Sequence, residues 1–440
     1  MSRCRMENVL IATLGLGLNQ AEVVLGANLS FADIFLVLLL IYLLIKGELW
    51  IPTVPFVFYL VLFGWMSMAS LFVMQPPIGD GTITLKVFIG LLKLTICFLF
   101  CVVAMNVVRR GLGWTMFRGF YSGAVLVSVF SIPQIIGFGS LVPSIFYKVG
   151  SRFSGLTDDP NYFAVMMACA LALVWSDNRV AIRTRFLMSA PLVSGILASG
   201  SKTGLLTLLV VLGWFVVGID RYGRSRNRIS LQIAATTLVA VVFILTVVFF
   251  DSFLEAISTV SKQVPALDRI STLATDFDSA VSEDGSSRNI AWQTGILVVA
   301  SHPLMGIGSG TYELVGQYLN AYGSLAHNTY LQIAAEWGLP LCCLFFVWVC
   351  IGFIGPMARA HMSSFQTAST RALIALAVGS MGVSLNNARL LWVVIGCGCV
   401  WLCIQQGNSV KITANVEKKL MRKRPSSLSH DDSLAASARS

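Results

Sequence analysis

The sequence predicts an all-α polytopic transmembrane helix bundle of about twelve spans with one large outer loop, and three observations carry that expectation. Of its 440 residues 56% are hydrophobic and only 12% charged, against about 25% charged in soluble domains. The apolar residues fall in runs near the roughly 20 residues needed to cross a bilayer. The basic residues behind the net charge of +10 recur in short connections between those runs, as the positive-inside rule describes, and do not form one basic domain that would suit nucleic acid.

The start, "MSRCRMENVLIATLGLGL", has a basic leader but no small-residue cleavage site, so it reads as an uncleaved signal anchor. Apolar runs then follow at about Val9–Ala27, Phe31–Ile45, Trp50–Met74, Thr82–Val108, Gly119–Gly137, Asn161–Trp175, Phe186–Ala198, Gly204–Ile219 and Ile229–Phe250. These make residues 1–250 the first nine spans. Residues 251–326 form a long outer loop. Its stretch "SSRNIAWQTGILVVASHPLMGIGSGTY" is patterned enough to be structured, and loops of such length are usually functional. Thr329–Ile354, Ala372–Leu385 and Leu390–Ile404 fill residues 327–405 with spans ten to twelve. Residues 406–440 are polar, charged and disordered by composition.

Charge orients the bundle. With the start inside, Arg3, Arg5, Lys46, Arg109, Arg110, Arg118, Arg179, Arg183 and Arg185 are cytoplasmic, as are Arg221 to Arg228, Arg359, Arg371 and the basic tail. The exceptions are informative. Lys148, Arg152, Lys202, Lys262, Arg269, Arg288 and Arg389 face outward against the bias. Lys86 and Lys93 lie within a span, seven residues apart on one helical face, and an intramembrane charge marks function by default.

The cysteines, apart from Cys4, lie in apolar runs, so no disulfide framework is implied. Cys397 and Cys399 lack a second ligand pair, which argues against a metal centre. In "YKVGSRFSGLTDDPNYF" Asp159 reads as an N-cap with Pro160 at the first helical position, so Asp158 and Asp159 are read as caps and not as ligands. "LASGSKTGLL" puts Lys202 in an outer turn. The glycines of "HPLMGIGSGTY" make a tight turn, since no βαβ unit surrounds them. "AHNTYLQIAAEWG" sets His327 at the mouth of an apolar helix, on one face with Tyr330 and Leu331, and Glu336 on the opposite face. An imidazole there is either an interface anchor or, mostly neutral at pH 7, a base. Three outward cations beside it, Arg152, Lys202 and Arg288, suggest an anionic ligand such as a diphosphate, whose oxygens an arginine fork bonds in pairs.

"RFSGLTDDPNYFA", "GSKTGLL", "SRNIAWQTGILVVASHPLMGIGSGTY" and "HNTYLQIAAEWGLPL", in that order, resemble the O-antigen ligase / O-antigen polymerase family of bacterial inner-membrane proteins. The resemblance covers about Arg152 to Leu341. It implies a metal-independent, inverting glycosyltransferase without cofactor. The implied donor is a polyprenyl-diphosphate-linked glycan and the implied acceptor a glycan or lipid core, joined at the periplasmic face. Arg152, Arg288 and His327 match the family's functional positions. Lys202 stands where an arginine is common, keeping the charge but losing the fork. On this reading Arg152, Lys202 and Arg288 bind the diphosphate, while His327 and Arg288 are catalytic. Polymerisation of O-antigen or exopolysaccharide repeat units is the first expectation, and ligation to a lipid acceptor the second. A polysaccharide transporter or flippase is a distant third, because few polar residues (Glu22, Asp33, Lys86 and Lys93) fall at bilayer depth.

Overall fold

The computed structural model describes residues 2–24, 27–73, 83–217, 288–357 and 363–404. The run Ile229–Phe250, the first half of the long loop and the tail lie outside the described residues, as do Arg221 to Arg228 and Arg359.

The described chain is mostly helical, as its apolar runs predict. Helices α1 (Ser2–Gly17), α2 (Phe31–Ile45), α3 (Thr53–Val73), α4 (Ile83–Arg109) and α5 (Gly113–Val129) lead to a short turn, α6 (Ile132–Ile135). Then come α7 (Pro160–Ser176), α8 (Ile182–Ala198) and α9 (Lys202–Val217). After the undescribed stretch come α10 (Arg288–Ser301), α11 (Tyr312–Asn320), α12 (Thr329–Trp337), α13 (Leu339–Met357), α14 (Ser364–Gly379) and α15 (Arg389–Ile404). Among the described residues two stretches, Thr53–Val73 and Leu85–Arg109, are long and apolar enough to cross a membrane. Phe31–Ile45, Pro160–Ser176, Lys202–Phe215, Leu339–Gly355 and Arg389–Ile404 are shorter apolar helices.

Several boundaries differ from the sequence reading, among them the run Gly119–Gly137, where α5 ends at Val129 and a separate turn, α6, follows. The first apolar run is not one helix: α1 stops at Gly17, and Gln20–Val24 (β1) pairs antiparallel with Ala27–Leu29 (β2). Polar Gln20 and Glu22 alternate with apolar Ala21 and Val23, the period-two pattern of a strand. The run Thr329–Ile354 breaks at Gly338, whose φ of 77° leaves the helical region and separates α12 from α13. In the run Ala372–Leu385, α14 ends at Gly379 and the chain continues as turns.

Helix α7 is the hub. Every side chain from Phe163 to Val174 is buried, as expected for a helix that is apolar all round. It packs against α5, α8, α9 and α14. Around this centre, large apolar side chains point outward: Ile45, Leu44 and Ile34 on α2, Leu71 on α3, Phe88 on α4, Leu187 on α8 and Leu209 on α9 are all more than half exposed. A water-soluble monomer rarely shows so much apolar surface, and lipid is the solvent that suits it.

The two ends of the bundle differ in chemistry. At one end Arg118 donates to Asp177 through Nε at 2.8 Å and Nη2 at 3.1 Å, joining the start of α5 to the end of α7. Arg185 donates to the carbonyl of Asp177 at 2.9 Å. Arg110 bonds both Glu7 and Glu48. At the other end lie the start of α7, the end of α8 and the starts of α9 and α12, where the remaining polar groups gather.

Candidate active site

The segment before α7 makes the first wall. Tyr147–Val149 (β3) pairs antiparallel with Arg152–Phe153 (β4) across a turn at Gly150 and Ser151. Leu156–Thr157 (β5) pairs parallel with β1. Phe153 is fully buried between Phe146 and Phe163, with ring centroids at 5.5 and 5.3 Å. That packing fixes the direction of its neighbour Arg152. The Arg152 guanidinium donates through Nε to the carbonyl of Ser199 at 2.8 Å and through Nη2 to Oδ1 of Asn161 at 2.8 Å. It thus bridges the last turn of α8, where a cation complements orphan carbonyls, to the first turn of α7.

Asp159 caps α7 as the sequence predicts, its Oδ1 accepting from the Asn161 backbone N–H at 2.7 Å, with Pro160 opening the helix. Gly200 then turns the chain with φ 57°, and Ser201 caps α9 by accepting from the Gly204 N–H at 3.0 Å. Lys202 is therefore the first residue of α9, three residues from the carbonyl held by Arg152.

The second wall is the loop before α12. Asn328 is the N-cap, its Oδ1 accepting from Tyr330 and Leu331 at 3.0 and 3.1 Å. His327 consequently precedes the helix, so the expected shared face with Tyr330 and Leu331 does not exist. Its φ of 48° is left-handed, a conformation that costs a non-glycine residue of order 1–3 kcal/mol and that clusters at functional sites. The neighbours hold it there. Thr329 donates its N–H to Ser380 at 2.8 Å and its hydroxyl to Val383 at 2.7 Å, and Tyr330 donates its hydroxyl to Ala377 at 2.8 Å. This clamps the loop to the end of α14. Residue 382 completes the junction, since a side-chain carbon at Gly382 would fall 2.3 Å from the Thr203 hydroxyl of α9.

His327 is half-buried, and burial lowers its pKa below the ordinary 6.5. The nearby Arg288 charge acts in the same direction, and the Asp159 carboxylate opposes both. The structure therefore brings Asp159 and Arg288 each within electrostatic reach of His327, and puts Arg152 and Lys202 on the elements that flank Asp159. Three helix starts, those of α7, α9 and α12, open on this region and add their partial positive charge to that of the cations. The convergence of helix ends was not legible in the sequence, because it depends on tertiary packing. Asp159 was legible as a cap but not as the carboxylate acting on His327.

The remaining singled-out residues lie elsewhere. Arg389 is paired with Asp33. Lys86 meets Glu313 at 3.4 Å, both exposed. Lys93, deeper on α4, lines a cavity that Glu336 of α12 also lines. The glycine turn packs rather than binds: Gly308 and Gly310 have φ of 78° and 73°, and side-chain carbons there would collide with Ser70 and with the Lys86 carbonyl. Among the described residues, Cys397 and Cys399 are buried in apolar packing.

A helical protein with an apolar exterior and a cationic, histidine-bearing site at one end of its bundle is the class that fold and site define. Residues 186–346, which include Lys202, Arg288 and His327, match the Wzy_C family model, described as O-antigen ligase, so this part of the chain is similar to that family. No curated protein matches the chain.

Proposed function

We propose that the protein is an inverting glycosyltransferase of the bacterial inner membrane that polymerises polyprenyl-diphosphate-linked repeat units of a surface polysaccharide at the periplasmic face. What supports this reading is that His327 lies within electrostatic reach of Asp159 and Arg288, while Arg152 bridges the start of α7 to the end of α8, next to Lys202 at the start of α9, away from the Arg110 and Arg118 clusters. The acceptor hydroxyl oxygen attacks the anomeric carbon and forms the new C–O bond. The bond from that carbon to the diphosphate oxygen breaks on the opposite face, and the diphosphate leaves with the electron pair. Arg152 and Arg288, with Lys202 assisting, meet the charge that develops on it. Neutral His327 takes the hydroxyl proton, and its half-buried, lowered pKa keeps it in the accepting form at pH 7. These residues need no metal or cofactor for any of these steps.

Ligation of a finished glycan to a lipid core is the second reading, because the matched family is described by that activity. Purified protein incubated with lipid-linked repeat units separates the two: a ladder of lengthening products supports polymerisation, and a single transfer that requires lipid core supports ligation. His327→Ala should abolish either product while donor binding survives. Normal turnover per inserted molecule in that variant would reduce His327 to an interface anchor and sink the mechanism.

A further inference from the structure

Between α4, α11 and α12 lies a cavity of about 250 Å³, below the roughly 300–1,000 Å³ of drug-sized pockets and on the scale of one sugar ring with a few waters. Its chemistry differs from that of the cationic site. Lys86 and Lys93 stand with the carboxyl groups of Glu313 and Glu336, Gln332 and Asn386 contribute amides, and Trp337 contributes an aromatic wall. Amides and carboxylates both match hydroxyls, which donate and accept at once, and an indole offers an apolar surface to the C–H bonds of a pyranose. The polar groups are already arrayed: Gln332 Nε2 donates to Glu336 Oε1 at 2.5 Å, and Asn386 bonds the same carboxylate.

The cavity is also tied to His327. Leu325 lines it, two residues before the histidine, and the Ala326 N–H donates to Gln332 Oε1 at 3.1 Å. One polar chain thus runs from the cavity to the residue preceding His327. We infer that this cavity is a sugar subsite, receiving an uncharged terminal ring of the acceptor glycan and presenting its hydroxyl towards His327. The inference rests on the glycosyltransferase reading for its role in transfer, but sugar binding can be measured by itself.

Titration calorimetry of the full-length protein in detergent tests it with two probes. One is the repeat-unit oligosaccharide freed from its lipid by mild acid, and the other is the core oligosaccharide of the same cells. Wild type should bind one of them, which also names the acceptor. Asn386→Ala and the near-isosteric Glu336→Gln should each weaken that binding about tenfold, the loss of roughly one well-placed hydrogen bond. Arg288→Lys should leave it unchanged while lowering donor turnover. Binding of neither probe, or binding indifferent to both cavity variants, overturns the subsite even if transfer is observed. Oligosaccharide binding that depends on Glu336 and Asn386 without any transfer in wild type keeps the subsite and fails the glycosyltransferase reading.

Discussion

Arg389 holds the carboxylate of Asp33 in two parallel hydrogen bonds, Nε to Oδ1 at 2.8 Å and Nη2 to Oδ2 at 2.6 Å. The side chains are 8% and 15% exposed, and the pair fastens the start of α15 to the start of α2. Asp33 is shared, since its Oδ2 also accepts from the Ser30 N–H at 2.8 Å in the capping box of α2. Asp33→Ala leaves a buried guanidinium without its counter-charge, which costs about 3–5 kcal/mol. Thermal unfolding in detergent should show a large loss for Asp33→Ala and a smaller one for Asp33→Leu combined with Arg389→Met. Equal losses would mean that the ion pair does not determine the stability of this junction.

That pair illustrates what the sequence holds and what it conceals. The apolar runs predict most helices, because burial and lipid exposure both demand contiguous apolar residues, and local signals such as Asp159-Pro160 mark a helix start correctly. Pairing across long separations leaves no local signal: Arg389 reads only as one more outward cation, and Asp33 only as one of a few polar residues at bilayer depth. The short helix α12 is concealed for a similar reason, since Gly338 is a tolerated residue inside an apolar run until tertiary contacts turn it left-handed. The residues of the candidate site stand out by type and charge bias. Their mutual geometry, and the left-handed backbone of His327, come only from the clamp between α12 and α14.

Orientation follows from the two unlike ends. A reporter fused after Arg179 should register in the cytoplasm, and one fused after Gly323 in the periplasm. The opposite pair of signals would put the site on the wrong side for a periplasmic transfer and would overturn that part of the proposal.

The cations differ in what each must supply. Arg288→Lys keeps the charge and loses paired hydrogen bonding, at roughly 1.5–3 kcal/mol for a bond to a charged group, so turnover should fall about ten- to a hundredfold with normal membrane levels. Lys202→Arg restores the fork at the start of α9 and should be tolerated. Initial-rate measurements on lipid-linked donor decide both, and wild-type turnover in Arg288→Lys would make that residue merely a surface charge.

Asp159 acts on His327 through its charge, and this fixes the sign of the last expectation. The base form of His327 is the active one. Its pKa lies below 6.5 through burial and Arg288, so activity should be full at neutral pH and be lost as pH falls through that lowered value. Asp159 works against the lowering by stabilising the imidazolium. Asp159→Asn removes the negative charge but keeps an amide oxygen able to cap α7, so the helix and the Asn161 contact to Arg152 should persist. The acid limb of the pH–rate profile should then move to lower pH, and the variant should retain more of its maximal activity than wild type in mildly acidic buffer. Arg288→Lys, which preserves charge, should reduce the rate with little movement of the limb. A purely capping role for Asp159 predicts lower protein yield and an unmoved profile, so a limb that stays in place in well-folded Asp159→Asn would remove His327 as the titrating base.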